Sequence, residues 1–475
     1  MIKALFTVVT RSVLGVIGFV LTTVSAILFL TLFAIEEFGF AGGAYIGIIG
    51  FVILPAVFVV GLGLMPIGVW RVRQADLRRA AAGEAIPLAP VIDLNLPRTR
   101  GIVTIVGILS LVNIVILATG TYKGVELMES TEFCGGTCHS VMSPEFSTHS
   151  RSAHSRVRCT QCHIGPGAEW FIKSKLAGSW QVIAISLDIY PRPIPTPVET
   201  LRPARETCEQ CHWPTRFVGE RLKVITRYEE DEENTEKKSV LMLKIGGAPA
   251  AGQHSRGIHW HVDPRNKVRF RADKKRQYVK EVEVSLADGS QHLYANQGPP
   301  PTGVTPVDDW RTMDCVDCHN RPTHVYQRAK DEMDHALAAG DLDKSLPYIR
   351  REGLRILKMP WKSYEEAEAG MKKELFDFYG KEDPDLVTEK PKKLDDAAQA
   401  LVAIFKRNVF PAMKVTWDTY PSFRDHEDDG GCFRCHTSDL QTTDGKKISQ
   451  KCDLCHTTLA EKEENPEILS ELSGE

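Results

Sequence analysis

The chain has 475 residues, a formal net charge of −3 and a mean hydropathy of −0.18. This length rules out a small disulfide-stapled scaffold, and the near-neutral charge excludes bulk basicity as a basis for binding nucleic acid. The averages conceal a split, because residues 1–122 are almost wholly apolar outside one basic loop and the remainder is highly charged.

Three stretches at the N-terminal end, 12–35, 38–70 and 101–122, carry no charged side chain. Each reaches the roughly 20 residues that a helix needs to cross a hydrocarbon core. Only helices and closed barrels satisfy their backbone there, and these lengths suit helices. The first stretch is too long for the apolar core of a cleaved signal peptide, so it reads as an uncleaved anchor. The second is longer than one straight span needs, so either Gly42, Gly43, Gly47 and Pro55 bend it or one end lies at the interface. The loop after the second stretch carries Arg71, Arg73, Arg78, Arg79, Arg98 and Arg100, whereas the loop after the first carries Glu36 and Glu37. The positive-inside rule then puts the N-terminus in the cytoplasm. Three crossings place everything after Lys123 on the outer, periplasmic side of a bacterial inner membrane.

The 12 cysteines fall in six pairs, and a histidine follows the second cysteine of every pair. Five pairs read C-x-x-C-H: Cys159/Cys162/His163, Cys208/Cys211/His212, Cys315/Cys318/His319, Cys432/Cys435/His436 and Cys452/Cys455/His456. The first pair, Cys134/Cys138/His139, has one extra residue. This spacing is that of covalent haem attachment: two thiols meet the two vinyl groups of one porphyrin, and the adjacent imidazole becomes the proximal iron ligand. Zinc does not require a histidine after every second cysteine, and disulfides leave all six histidines unexplained. Six c-type haems are therefore expected. Their attachment on the outer side of the membrane agrees with the charge-derived topology.

Low-spin haems need a second axial ligand, His or Met. The remaining histidines are His149, His154, His254, His259, His261, His292, His324, His335 and His426. His154, His324 and His426 each lie close to a motif in sequence. In GIHWHVD, an extended backbone puts His259 and His261 on one face. His261 is favoured as a ligand, with His259 as a second ligand or proton relay. Met142 is a candidate for the first iron, and His335 reads as a solvated histidine on a charged helix.

Along the outer part, 123–214 forms a three-haem module in which porphyrins must supply much of the buried apolar area. Residues 215–310 alternate in KVITRY, KVRFRAD and VKEVEVSLADGSQHLYAN, with a turn at Asp288-Gly289, and read as a small antiparallel β insert. Its ionic run EEDEENTEKK reads as a solvated hairpin tip. Residues 311–425 hold the fourth motif and a helical segment broken around Gly340, Pro347, Pro360 and Pro384. Residues 426–475 hold two motifs and an acidic tail expected to fray. The fold expected is three transmembrane helices followed by a mainly α/irregular multihaem domain with that β insert. No P-loop, Rossmann or nucleophile-elbow pattern is present.

The text FCGGTCHSVMSPE, SAHSRVRCTQCHIGPGAEWFIKSKLAGSWQV and YPRPIPTPVETLRPARETCEQCHWP resembles the NapC/NirT family of membrane-anchored multihaem cytochromes. The later CVDCHNRPTH, GCFRCH and DGKKISQKCDLCH resemble its longer members. The resemblance implies a quinol dehydrogenase that takes electrons from menaquinol or ubiquinol and passes them to a periplasmic cytochrome or reductase. It also implies a quinol site near the first haem, where Lys173, Lys175 and Asp188 are the nearby ionisable residues. A lysine can position a quinol oxygen and a carboxylate can take its proton. A passive relay subunit and a terminal reductase of a small nitrogen or sulfur compound are the alternatives. The chain departs from the short members in its three spans, six motifs and C-x3-C-H. That last departure weakens the transfer of the methionine ligand to Met142, which stands one residue further from the motif histidine.

Overall fold

The structure, a computed structural model, describes residues 12–37, 53–83, 94–137, 139–165, 168–198, 201–213, 217, 219–246, 257–427 and 430–474. They fall in two compact units, Met1–His139 and Ser140–Glu475.

The first unit holds helices α1 (Val13–Glu37), α2 (Leu54–Ala81) and α3 (Pro97–Met128). Among the described residues, α1 and α2 pass the test of length and apolarity for crossing a membrane. α3 is a 32-residue helix that runs through the third charge-free stretch. Small residues bring α1 and α2 together: a methyl group on Gly61 would stand 2.8 Å from the Gly18 carbonyl oxygen, and one on Gly68 would stand 2.7 Å from the Gly15 nitrogen. Such close backbone approach is how helices associate where lipid removes the hydrophobic drive. Pro55 does not bend a helix. It stands at the first turn of α2, where a missing N–H costs nothing, and the proline inside that helix is Pro66. Gly42, Gly43 and Gly47 lie outside the described residues.

After α3 come a π turn (Phe133–Thr137), α4 (His139–Ser150), α5 (Cys159–His163), α6 (Ala168–Ser186) and α7 (Ala204–Cys208). Strands β1 (Glu220–Tyr228), β2 (Glu236–Lys244), β3 (Lys267–Ala272), β4 (Val279–Ser285), β5 (Gln291–Asn296) and β6 (Arg311–Thr312) follow. Next are helices α8 (Ala329–Ala339), α9 (Ile349–Leu357), α10 (Tyr364–Glu382), α11 (Pro384–Glu389) and α12 (Pro391–Asn408). The chain ends with β7 (Leu440–Gln441), β8 (His456–Glu463) and α13 (Glu467–Ser473).

The largest apolar core belongs to the haem-free helical segment: Met333, Leu342, Ile356, Met371, Leu375, Leu401 and Phe405 are all essentially inaccessible. Its breaks fall where the sequence puts them. Gly340 closes α8 in the left-handed conformation, and Pro384 opens α11 behind the Asp383 cap. A second core lines the sheet around Phe270 and Val282. A third joins Val141 to Phe410, Met413, Val415 and Tyr420.

Both sheets are antiparallel, in the orders β1-β2-β8 and β6-β3-β4-β5-β7. The tip of the β1–β2 hairpin is solvated at Glu229, Glu230, Glu232 and Glu233, as expected, but it is also anchored. Asn234, buried and left-handed, donates to the carbonyls of Lys344 and Leu346 at 3.0 and 2.9 Å and accepts from the Arg350 nitrogen at 3.0 Å. The acidic tail, expected to fray, carries secondary structure instead: its start belongs to β8, which pairs with β2, and α13 follows.

Candidate haem-binding sites

Each of the last five motifs is a single tight turn. α5 is itself the motif CTQCH, α7 ends at Cys208, and 3-10 turns cover Cys315–Asp317, Gly431–Arg434 and Cys452–Leu454. The histidine N–H donates to the carbonyl of the first cysteine in three of them: His212 to Cys208 and His319 to Cys315 at 2.8 Å, and His436 to Cys432 at 3.0 Å. Residues three and four apart on such a turn share a face, so two thiols and an imidazole point the same way. The first motif differs. Cys134 lies in the π turn, a wider turn that takes up the extra residue. Cys138 and the side chain of His139 lie outside the described residues. No disulfide joins Cys162 or the cysteines of the last four motifs.

The cysteines assigned to haem are not equally enclosed. Cys211, Cys432 and Cys452 are exposed, whereas Cys159, Cys162, Cys208, Cys315, Cys318, Cys435 and Cys455 are half-buried. Cys211 departs most from an enclosed cofactor site, because α7 stops at Cys208 and leaves it beyond the helix, with His212 and Trp213 beside it also exposed. Its N–H still donates to the Cys208 carbonyl oxygen at 3.1 Å, which closes the motif turn through the backbone. Ala204 is the one buried residue of α7. Burial by protein therefore does not mark Cys211 as a haem thiol, and its assignment rests on its spacing from Cys208 and His212.

Each of these five motif histidines faces a second imidazole. His163 and His324 have ring centroids 6.2 Å apart, His212 and His154 5.9 Å, and His319 and His259 6.4 Å. His436 and His261 stand 5.8 Å apart, and His456 and His426 6.3 Å. An imidazole bound to a metal through a bond of about 2 Å has its centroid about 3 Å from that metal, so two axial imidazoles on one iron stand about 6 Å apart. All five gaps have that width, and the donor set fits haem iron.

The proton positions fit as well. His259 Nδ1 lies 3.0 Å from the Ile245 carbonyl oxygen, His261 Nδ1 2.9 Å from that of Ile258, and His436 Nδ1 2.6 Å from that of Ser449. A ring that donates from Nδ1 leaves the Nε2 lone pair for a metal. Burial holds His163, His259, His261 and His319 below the ordinary imidazole pKa and pushes His324 down to about 4. These rings are neutral donors at pH 7.

One local expectation is overturned. GIHWHVD is a 3-10 turn, Ile258–Val262, not a strand. Three residues complete such a turn, so positions two apart diverge instead of sharing a face. His259 faces the fourth motif and His261 the fifth. His149, which no motif marked out, is buried with Nε2 3.0 Å from the Val157 carbonyl oxygen and with Nδ1 making no hydrogen bond. Its ring lies 6.4 Å from His324. His335 is exposed on α8, and His254 lies outside the described residues.

Successive motifs are neighbours. α5 packs on α7, and α7 on the turn of the fourth motif. The Arg434 guanidinium, inside the fifth motif, donates to the Asp317 carbonyl oxygen inside the fourth at 2.6 Å. Gln450, two residues before Cys452 of the sixth, donates to the His436 carbonyl oxygen at 2.8 Å. Asp317 itself is 1% exposed and pairs with Arg311 at 2.8 Å and Arg276 at 3.1 Å.

The residues assigned to quinol do not converge in the same way. Lys173 is exposed and lies over the Trp170 ring at 4.6 Å. The side chain of Lys175 lies outside the described residues. Asp188, just past α6, is paired with Arg192. At 1.5 Å per residue it stands roughly 20 Å along the helix from Lys173. Met142 lies on α4, three residues after His139 in sequence.

Repeated one-turn attachment motifs, paired imidazoles and apolar N-terminal helices define a membrane-anchored multihaem c-type cytochrome. The chain belongs to the NapC/NirT cytochrome c family: the family's N-terminal region matches residues 97–191. It is 41% identical over 454 residues to the cytochrome c-type protein ImcH of Geobacter sulfurreducens, covering 95% of this chain and 89% of that one. No solved structure matches it.

Proposed function

We propose that the chain oxidises a membrane quinol, menaquinol by preference, and passes the electrons through six covalently attached haems to a periplasmic redox protein. The observation that carries this reading is the set of five imidazole pairs, each 5.8–6.4 Å apart. In it the axial pairs are His163/His324, His212/His154, His319/His259, His436/His261 and His456/His426. Met142 and His139 serve the first motif. When bound, the haems supply one-electron transfer, and the protein sets their spacing and potentials.

α3 is the third membrane span in this reading, and the arginines in the last part of α2 and the first turn of α3 hold the connection between them in the cytoplasm. The haem domain is then periplasmic. The close succession of motifs, from the second to the sixth, supports a conduit in sequence order. A terminal reductase needs an open axial position, and a second imidazole stands opposite each of the five described motif histidines. That alternative rests on the first motif alone.

On α6, Lys173 and Lys175 are two residues apart, about 200° round the helix. One of them faces a bound quinol and positions its oxygen. Asp188, held by Arg192, lies further along and is assigned to proton release. The test is reduction of the purified full-length protein by a menaquinol analogue, with and without a quinone-site inhibitor, alongside a haem count per chain. Inhibitor-sensitive reduction and six haems are expected, whereas dithionite-only reduction would hand the chain to the relay reading. Replacing Lys173 or Lys175 by Gln should slow quinol-driven reduction for one of the two and leave dithionite reduction intact. Unchanged rates in both variants remove α6 from the quinol site.

A further inference from the structure

α4 and the segment after the fourth motif meet around a buried carboxyl group. His324 Nδ1 lies 3.0 Å from the Glu145 carbonyl oxygen and 3.2 Å from the Glu145 carboxyl atom Oε2. Oε2 is shut off from solvent and makes no hydrogen bond of normal geometry. Arg321 comes no closer to it than 3.9 Å, and that guanidinium lies on the Tyr420 ring at 3.8 Å. Arg321 Nη2 and Tyr326 Oη, in the same cluster, are likewise buried without a partner. Unsatisfied buried polar atoms are costly, and three of them together call for an explanation. Burial raises the Glu145 carboxyl pKa, and Arg321 opposes that rise.

The His324 environment differs from those of His259 and His261. The Nδ1 atoms of those two rings meet backbone carbonyls, of Ile245 and Ile258. At His324 a side-chain carboxyl group joins the carbonyl at the same nitrogen. A carboxylate on the outer nitrogen of a metal-bound imidazole makes the ring a stronger donor, and stronger donation stabilises the oxidised iron.

We propose that Glu145 is a positioning residue whose carboxyl group, set beside the Nδ1–H that His324 directs to the Glu145 carbonyl oxygen, fixes the ring with Nε2 turned toward His163 and lowers the reduction potential of the haem attached at Cys159 and Cys162. The inference rests on the axial pair His163/His324 proposed above. Arg321 and Tyr326 lie in the same cluster as the carboxyl group.

The test uses the full-length, haem-loaded protein in detergent. Glu145→Gln keeps the size of the side chain and removes its charge. Spectroelectrochemical titration should then show one haem whose reduction equilibrium moves about tenfold toward the reduced form, about 59 mV for one electron, with the others unmoved. The low-spin electron paramagnetic resonance signal of that haem should shift with it. Glu145→Asp keeps the charge at a longer reach and should move the same midpoint part of the way. It carries the test if the Gln variant does not load haem. His324→Ala separates the two levels of the argument. If it abolishes one low-spin signal while Glu145→Gln leaves every midpoint unchanged, the ligand pair stands and the role of Glu145 is overturned. If it leaves all low-spin signals intact, the ligand pair falls and the proposal falls with it.

Discussion

At the scale of single residues, the haem motifs carry more than cysteine and histidine. Asp317, the second spacer residue of CVDCH, is 1% exposed and holds Arg311 and Arg276, while its backbone carbonyl takes the Arg434 guanidinium from the next motif. The fourth and fifth motifs are thus joined through their spacer residues. Losing one partner of a buried ion pair leaves the other uncompensated. Asp317→Asn is therefore expected to destabilise the haem-loaded protein by about 3–5 kcal/mol. The denaturation midpoint measures this, and an unshifted midpoint would show that water or rearranged side chains satisfy both guanidiniums. The cysteines and histidines of the motifs were legible in the sequence through their fixed spacing, which singles out even the exposed Cys211. Asp317 was not, because the pattern leaves spacer positions open and only the fold brings Arg276 and Arg434 to it.

At the scale of elements, the turn Ile258–Val262 holds two imidazoles that face two different motif histidines. An extended backbone here would have put His259 and His261 on one face. The preceding residue decides otherwise. Gly257 has φ 85°, and an added methyl group would run into the Lys244 carbonyl oxygen. A backbone that must be left-handed at this point cannot continue as a strand. Gly257→Ala should displace the whole turn and so disturb two low-spin haem signals at once. A disturbance confined to one signal would mean that the two histidines are positioned independently. The same physics limited the reading of the hairpin tip. Its acidic composition describes solvent affinity, but Asn234 is committed to carbonyls more than 100 residues away, in the α8–α9 connection. By contrast, the α8–α12 segment was legible in outline, since Gly340 and Pro384 act locally on the backbone.

At the scale of the whole chain, sequence order and spatial order coincide from the second motif to the sixth. This follows from how the neighbours are made. α5 touches α7, α7 touches the fourth motif, Arg434 reaches back from the fifth, and Gln450 ties the fifth to the approach of the sixth. Other histidines cross between motifs: His154, five residues before Cys159, faces His212 of the third motif, and His324, five after His319, faces His163 of the second, so the segment after the fourth motif also meets the second. If electrons follow the order of these motif contacts, the fourth attachment is a required step. Removing the fourth attachment with Cys315→Ala and Cys318→Ala should let quinol reduce only the haems attached before it, while dithionite reduces every haem that remains. Removing the sixth with Cys452→Ala and Cys455→Ala should instead leave quinol-driven reduction of the other haems at its full extent and abolish transfer to an external acceptor. The contrast between the two variants is the informative measurement, because a general folding defect would depress both alike. Full quinol-driven reduction of the fourth-motif variant would require a branch between the second or third motif and the fifth, and the linear order would have to be abandoned.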